Sequence, residues 1–321
     1  MRQGSIHLFR IAGVDVFLHW SWFLVAAFEI SGRTRTYSSL SWNILEYLAL
    51  FSIVLLHEYG HALACRQVGG IANRIVLWPL GGVAYVDPPP RPGAMLWSIA
   101  AGPLVNVVLF FVLTLTGMLG RSHGWFAAVP NIHTLVRAIW YINLGLLTFN
   151  LLPIYPLDGG QILRSLLWFV LGRARSLMVA VSIGFIGVAG LIALALWIHS
   201  AWFVVLSFFI LMNCWGGLKQ ARALSRLAKL PRREGFTCPC CKLAPPIGAF
   251  WKCAQCGQPF DTFETQAVCP KCNARFAVTG CLDCRRAYPM NEWMAPGSCA
   301  FAARCFAFTI IAGVDMAGAG F

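Results

Sequence analysis

The chain has 321 residues, of which 58% are hydrophobic and only 12% are charged, and its mean hydropathy is +0.68. Because a soluble globular domain carries about 25% charged residues, this composition excludes an ordinary soluble protein and indicates an integral membrane protein. The formal net charge of +13 does not by itself indicate nucleic-acid binding, since basic residues of membrane proteins concentrate in cytoplasmic loops beside the spans.

The predicted elements begin with residues 1–15, whose loose alternation of apolar and polar residues predicts a short amphipathic strand at the surface. No cleavable signal is expected, because the following apolar stretch lacks a small-residue cleavage site. Long apolar runs then predict six transmembrane helices, since about 20 residues cross the hydrocarbon core of a bilayer. The predicted spans are residues 16–31, 44–66, 95–119, 135–152, 176–198 and 200–218.

The distribution of lysine and arginine predicts how these spans are oriented. With six spans, the N-terminus shares one side of the membrane with the second, fourth and last connecting segments. That side holds fourteen basic residues, Arg2, Arg10, Arg66, Arg74, Arg91, Arg164, Arg173, Arg175, Lys219, Arg222, Arg226, Lys229, Arg232 and Arg233, and the other side four, Arg33, Arg35, Arg121 and Arg137. The positive-inside rule therefore places both termini in the cytoplasm of a multi-pass protein of the cell (inner or plasma) membrane.

A β-hairpin is predicted between the second and third spans, in the sequence NRIVLWPLGGVAYVDPPPRPG of residues 73–93. Its strands are expected at residues 74–77 and 83–86, joined through Pro79 and a Gly-Gly pair. An open strand edge at membrane depth is tolerated only where it faces protein or a water-filled cavity. We therefore expect this hairpin at the mouth of a cavity.

The second predicted span contains the sequence HEYGH. On a helix, His57 and His61 project from the same face and can bind one metal ion, and Glu58 is close enough to act as a general base toward an attacking water. A bare HExxH pattern often arises by chance in soluble proteins. Three ionisable side chains within one membrane helix are costly, however, and are therefore predicted to be functional.

A hydrolytic zinc site uses a third protein ligand and keeps one position open for water. The candidate is Asp158, in the sequence FNLLPIYPLDGGQILR of residues 149–164. Pro153 and Pro156 prevent regular helix before it, and a following Gly-Gly pair allows the backbone to approach closely. The alternative interpretation is a solvated aspartate that caps the next helix; together with HEYGH, the ligand is favoured.

HEYGH followed by NLLPIYPLDGG resembles the motifs of the site-2 protease family of intramembrane metalloproteases, particularly the bacterial branch with the sporulation-factor-processing protease. The resemblance covers about residues 5–218 and implies zinc held by His57, His61 and Asp158, with Glu58 activating water and a transmembrane protein as substrate. The substrate-binding residues that it implies are Asn150, Asn106, Pro153, Pro156, Gly81 and Gly82. For Asn106, in AGPLVN, the alternative is a helix-packing motif centred on Gly102.

The composition changes near residue 219. Residues 219–235 are predicted to form a basic juxtamembrane linker, residues 236–290 a small cytoplasmic domain, and residues 291–321 a tail of unknown structure. Four Cys-x-x-Cys pairs predict a double zinc ribbon with two structural zinc ions, and the reducing cytoplasm disfavours disulfides. The ligands are Cys238, Cys241, Cys253, Cys256, Cys269, Cys272, Cys281 and Cys284. We expect the first two pairs to share one ion and the last two pairs the other.

The predicted fold is thus an all-α polytopic membrane protein with a membrane-associated hairpin, followed by a zinc-ribbon domain. The predicted function is zinc-dependent intramembrane proteolysis. A zinc transporter would need ligands at several points along a path, and an inactive scaffold for the ribbons would have no reason to retain buried charges. A regulatory protein is favoured over nucleic acid as the partner of the ribbons, and no oligomeric state is predicted.

Overall fold

The computed structural model describes residues 4–32, 36–78 and 81–293. These residues divide into two compact units. The first, here called the membrane unit, contains the described residues up to 172 together with residues 179–217, and the second, the ribbon unit, contains residues 173–178 and 218–293. The predicted tail lies outside the described residues from position 294 onward.

Within the described part of the membrane unit, four strands form one sheet in the order β1–β2–β3–β4. The strands are β1 (Ser5–Ile11), β2 (Val14–His19), β3 (Ile71–Trp78) and β4 (Gly81–Asp87). Strands β1 and β2 pair antiparallel, as do β3 and β4, whereas β2 and β3 pair parallel. The predicted hairpin is therefore half of a larger sheet, and β4 is one of its edges.

The prediction of a continuous helix at residues 16–31 was wrong. Its first residues belong to β2, in which Val14, Val16 and Leu18 alternate as buried core residues, and helix α1 (Trp22–Gly32) has only 11 residues. At 1.5 Å per residue, α1 is about 16 Å long, roughly half the thickness of the hydrocarbon core. Only His19 and Ser21 interrupt the apolar residues where the strand meets the helix, so the sequence resembles one nearly continuous apolar run.

Among the described residues, five helices are long and apolar enough to cross a membrane. The helices after α1 are α2 (Leu40–Gln67), α3 (Pro92–Ser122), the short α4 (Trp125–Ala128), α5 (Pro130–Asn150), α6 (Asp158–Trp197) and α7 (Ala201–Ala228), and all but α4 meet these criteria. At most 33% of the most apolar stretch of any of them is buried within the chain. Such large exposed apolar surfaces are typical of helices that face lipid.

Helix α6 is interrupted at Gly172, whose backbone angles (φ 77°, ψ 170°) are not helical. The part after this interruption corresponds to the predicted fifth span. The part before it follows α5 after a short non-helical turn. This turn contains Pro153 and Pro156, the residues that the sequence predicts to prevent regular helix before Asp158.

The ribbon unit contains four copies of one turn, each built on a Cys-x-x-Cys pair. In every copy the N–H of the first cysteine donates to the carbonyl five residues later, and the N–H four residues later donates back to that cysteine's carbonyl. The residue at this fourth position has a positive φ each time, at Lys242, Gly257, Asn273 and Arg285. Short strands flank two of the turns, namely β5 (Trp251–Lys252) with β6 (Pro259–Phe260), and β7 (Thr279–Gly280) with β8 (Ala287–Tyr288), before the single turn α8 (Met290–Trp293).

Candidate metal centres

Helix α2 and the first residue of α6 bring three metal-ligating side chains together. Nε2 of His57 lies 3.0 Å from Oδ2 of Asp158, and Nε2 of His61 lies 3.4 Å from the same oxygen. The two Nε2 atoms are 3.1 Å apart. Both imidazoles are buried and the carboxylate is 14% exposed, so the cluster lies in the interior of the membrane unit.

The hydrogen bonds of the two Nδ1 atoms show that the lone pairs of both imidazoles are on Nε2. Nδ1 of His57 donates to Oδ1 of Asn106 at 2.5 Å, and Nδ1 of His61 donates to the carbonyl oxygen of Ser98 at 2.9 Å. In a neutral imidazole the second nitrogen is then an acceptor. Oδ2 of Asp158 is buried and receives no hydrogen bond from residues 4–32, 36–78 or 81–293. Three acceptors this close together repel one another unless a cation lies between them.

The ligand set and its spacing fit zinc. Nitrogen and oxygen ligands at about 2.0–2.1 Å from a tetrahedral Zn²⁺ are about 3.3 Å from one another, and the three atoms here are separated by 3.0–3.4 Å. Two imidazoles and one carboxylate also leave one coordination position open. This is the ligand count of a hydrolytic zinc site.

The turn between α5 and α6 directs Asp158 toward the histidines, and it depends on two glycines. A Cβ on Gly159 would lie 2.3 Å from the carbonyl oxygen of Leu151, and one on Gly160 would lie 2.4 Å from the backbone nitrogen of Tyr155. Real Cβ contacts are essentially never shorter than 3.0 Å. The Gly-Gly pair therefore allows the turn to fold back against the start of α6.

Helix α3 packs against the two imidazoles at Gly102. A Cβ at this position would lie 2.3 Å from Nε2 of His61 and 2.9 Å from Nε2 of His57. Close helix packing through Gly102, the alternative considered for AGPLVN, therefore occurs directly at the candidate metal site.

Strand β4 contacts Glu58 through its backbone. Oε2 of Glu58 accepts the N–H of Ala84 at 2.9 Å, and a Cβ on Gly82 would lie 2.2 Å from Cγ of Glu58. Because the N–H of Ala84 points to Glu58, it is not used for pairing with β3. The free edge of the sheet thus lies against the carboxylate predicted to be the general base.

The predicted substrate-binding residues lie in different surroundings. Asn150 is half-buried at the end of α5, and the turn after it contains the exposed Pro153 and the half-buried Pro156. Gly82 adjoins Glu58, as described above, and Gly81 precedes it at the start of β4. Gly81 and Gly82 are thus in the same strand as Ala84, whose N–H binds Glu58. Asn150, Pro153 and Pro156 lie at the end of α5 and in the turn that leads to Asp158.

Asn106, in contrast, is fully buried and contacts His57. Its Nδ2 donates to Oδ1 of Asn143 at 2.8 Å, and Nδ2 of Asn143 donates to the main-chain oxygen of Asn106 at 2.9 Å. Sequence reasoning missed Asn143. The available signal was an amide side chain in an otherwise apolar membrane helix, which is costly to bury unless it is hydrogen-bonded.

The cysteines of the ribbon unit form two clusters, and the predicted pairing of neighbouring knuckles was wrong. One cluster contains Cys238, Cys241, Cys281 and Cys284, and the other contains Cys253, Cys256, Cys269 and Cys272. Facing sulfurs are 3.6–3.7 Å apart, close to the roughly 3.8 Å expected between thiolates at about 2.3 Å from a tetrahedral zinc. Hydrogen bonds from the thiols of Cys241, Cys281 and Cys284 lower the pKa of Cys238 well below its usual range, and the same hydrogen bonds with Cys238 raise the pKa of Cys281 and of Cys284.

The nested pairing follows from the path of the chain. Eleven, twelve and eight residues separate successive Cys-x-x-Cys pairs, so their spacing favours no particular partner. In the fold, the second pair lies at the tip of the β5–β6 hairpin and meets the third pair. The fourth pair, at the tip of the β7–β8 hairpin, meets the first pair.

Comparison with known proteins gives matches to the membrane part of the chain. Residues 46–129 and 114–194 match the model of peptidase family M50. Over 180 residues the chain is 36% identical to a zinc metalloprotease of Methanocaldococcus jannaschii, which covers 56% of this chain and 50% of that protein. Over 126 residues it is 35% identical to stage IV sporulation protein FB of Bacillus subtilis, with 39% and 41% covered.

Among solved structures, the chain is similar to a site-2 protease from Methanocaldococcus jannaschii, with a TM-score of 0.49, 29% identity, and coverage of 67% of this chain and 95% of that one. The chain spans about half the length, or less, of the two curated relatives above. The region matched by the family model contains His57, Glu58, His61 and Asp158.

Proposed function

We propose that the chain is an intramembrane zinc metalloprotease of the site-2 type, and the match of residues 46–129 and 114–194 to the model of peptidase family M50 supports this proposal. The observation that carries the proposal is the convergence of His57, His61 and Asp158 from two membrane-length helices. A zinc transporter would need further ligand sites along a path. Of the ligand clusters found in the part of the chain that the structure describes, this one alone lies within the candidate spans.

The chemistry divides between the metal ligands and Glu58. When bound by His57, His61 and Asp158, zinc supplies a Lewis acid that polarises a peptide carbonyl and makes water more acidic. The water oxygen attacks the carbonyl carbon of the peptide bond while Glu58 takes one proton from that water. Glu58 then returns the proton to the amine nitrogen when the C–N bond breaks. We propose that Asn150 binds the substrate backbone or the developing oxyanion.

The free edge of β4 is proposed to hold the substrate. A peptide bond within a transmembrane helix is protected because its backbone groups are already hydrogen-bonded, so the substrate must unwind before cleavage. N–H groups alternate between the two sides of a strand, and that of Ala84 faces Glu58. An extended segment that pairs with this edge would bring its carbonyl next to the base, and Gly81 and Gly82 would allow close approach.

We propose six membrane passages with both termini in the cytoplasm, one catalytic zinc ion and two structural ions. The pairing of β2 with β3 in one sheet supports this topology, since α1 and α2 would then cross the membrane and return the chain to the same side. The uneven distribution of basic residues therefore still applies, although α1 is short. A cytoplasmic ribbon unit is suited to bind a regulatory protein at the membrane surface.

Trypsin should digest the ribbon unit in inverted vesicles but not in right-side-out vesicles. In inverted vesicles, digestion should be rapid only after a chelator has removed zinc. Zinc binding by the two clusters of four cysteines would contribute much of the folding free energy of so small a unit, so metal loss should expose its backbone. The measurement is the rate of appearance of the truncated chain in inverted and right-side-out vesicles. Cys253→Ser should be digested rapidly without chelator. Digestion in right-side-out vesicles would contradict the orientation, and chelator-independent digestion would contradict the structural zinc.

Asp158→Ala should remove one zinc ion per chain and stop the release of fragments from membrane proteins. The substitution deletes one of three ligands but leaves the cysteine clusters intact. Metal analysis of the purified chain gives the zinc content, and proteomics of cells that express either form identifies fragments that depend on the wild type. Asp15→Ala, which changes an acidic residue of β2, is the matched control. Unchanged zinc content and an unchanged fragment pattern in Asp158→Ala would refute the proposal.

A further inference from the structure

Two asparagines that are not metal ligands link α3 and α5 behind His57. Asn106 accepts the Nδ1–H of His57 at 2.5 Å and donates its own Nδ2–H to Oδ1 of Asn143 at 2.8 Å. Asn143 in turn donates to the main-chain oxygen of Asn106 at 2.9 Å. Both asparagines have 0% of their surface exposed. Amides buried in this way are costly unless they are paired, and each of these two satisfies the other.

The two hydrogen bonds of Asn143 determine which end of the Asn106 amide faces His57. An asparagine side chain has an oxygen that accepts and a nitrogen that donates, and it can present either one to a neighbour. Because Oδ1 of Asn143 accepts from Nδ2 of Asn106, the oxygen of Asn106 is directed to His57. Asn143 cannot reverse its own amide without losing its bond to the main-chain oxygen of Asn106.

An inverted Asn106 would have a direct effect on the metal centre. Its amino group would then face Nδ1 of His57 and favour the tautomer with a lone pair on Nδ1. The hydrogen of the ring would move to Nε2, the atom that lies 3.0 Å from Asp158, and that nitrogen could no longer bind a metal. His61 is not subject to this inversion, because its partner is the main-chain carbonyl of Ser98.

We propose that Asn143 is a positioning residue for the catalytic zinc. It acts through Asn106 to hold His57 in the tautomer whose Nε2 can bind the ion, and it contacts neither metal nor substrate. This inference rests on the proposed zinc centre. It also gives Asn106 a role in supporting a ligand, in place of the substrate contact that the sequence suggests.

The test measures zinc affinity in the purified full-length chain by competition with a chelator, after the thiolate sites have been saturated. Asn143→Ala should raise the dissociation constant of the remaining site about 10–100-fold, the usual effect of losing an outer partner of a metal-binding histidine. Asn106→Ala should cause a similar loss. Because the two residues act in series, the double variant should lose no more than either single variant.

Asn106→Asp separates positioning from a purely structural role. A carboxylate presents an oxygen to His57 in either orientation, so Asn143→Ala should have little effect on zinc affinity in the Asn106→Asp background. A purely structural role would give the same loss in both backgrounds. Asn143→Leu, which fills more of the space, replaces the alanine variant if the latter does not fold.

Thr114→Val is the matched control, since it removes the 2.9 Å bond from Trp140 that joins the same two helices away from His57. It should retain the wild-type zinc affinity. Wild-type affinity in Asn143→Ala, or additive losses in the double variant, would overturn this inference. If the wild type itself bound no zinc outside the thiolate sites, the proposed function would fail instead.

Discussion

Replacing Glu58 with glutamine should abolish proteolysis while the catalytic zinc stays bound. Glutamine has nearly the same shape, and its side-chain oxygen can still accept the N–H of Ala84 that Glu58 accepts at 2.9 Å. The three ligands are unchanged, so metal affinity and the position of β4 should be preserved. A neutral amide cannot take the proton of the attacking water, and loss of such proton transfer lowers rates about 100- to 10,000-fold.

The measurement compares cleavage rate and zinc content in liposomes, with a substrate identified through the fragments that Asp158→Ala fails to release. Glu234→Gln, which makes the same chemical change at an exposed residue outside the membrane unit, should match the wild type in both respects. A glutamine variant at position 58 that cleaves at the wild-type rate would show that Glu58 is not the base. Loss of zinc together with activity would instead make Glu58 part of the metal site.

The three candidate ligand residues were accessible from sequence because each carries a local signal. The spacing of His57 and His61 places them on one helical face, and Asp158 is a carboxylate in a Pro- and Gly-interrupted apolar segment. The sequence pattern does not give the spatial distance between the segment with the two histidines and the segment with Asp158. The approach of Asp158 to the histidines depends on how α2, α3 and α6 pack.

The surroundings of the ligands were less predictable, because they are formed by backbone atoms and by single residues. The carbonyl of Ser98 and the N–H of Ala84 have no side-chain identity to recognise, although both bind groups of the HEYGH motif. The alternation of Val14, Val16 and Leu18 was present in the sequence, but the apolar residues that follow it concealed the end of the strand. The nested cysteine pairing likewise depends on the fold, since the spacings are nearly uniform.

Gly102→Ala should eliminate the catalytic metal site with a single added methyl group. The new Cβ would lie 2.3 Å from Nε2 of His61 and 2.9 Å from Nε2 of His57, the two nitrogens that would bind the ion. Either the rings must turn or α3 must move away, and α3 also carries the Asn106 and Ser98 groups that hold the rings. Because both ligands are affected at once, we expect zinc affinity to fall by more than the 10–100-fold typical of an outer partner, and cleavage to fall to background.

Gly117→Ala provides the matched control for Gly102→Ala within the same helix. Apart from Gly117 itself, its two neighbours in the chain and the adjacent helix backbone, no heavy atom of the described residues lies within 4 Å of a Cβ built on Gly117. This variant should therefore keep wild-type zinc content and activity, and alanine should favour the helix slightly. Metal analysis and cleavage assays on the two purified variants give the comparison. Full zinc binding and activity in Gly102→Ala would mean that α3 does not lie against the imidazoles as the structure places it. A similar loss in Gly117→Ala would show that the effect belongs to helix α3 as a whole. A loss confined to Gly102→Ala would instead show that the effect arises where α3 meets the Nε2 atoms of His57 and His61.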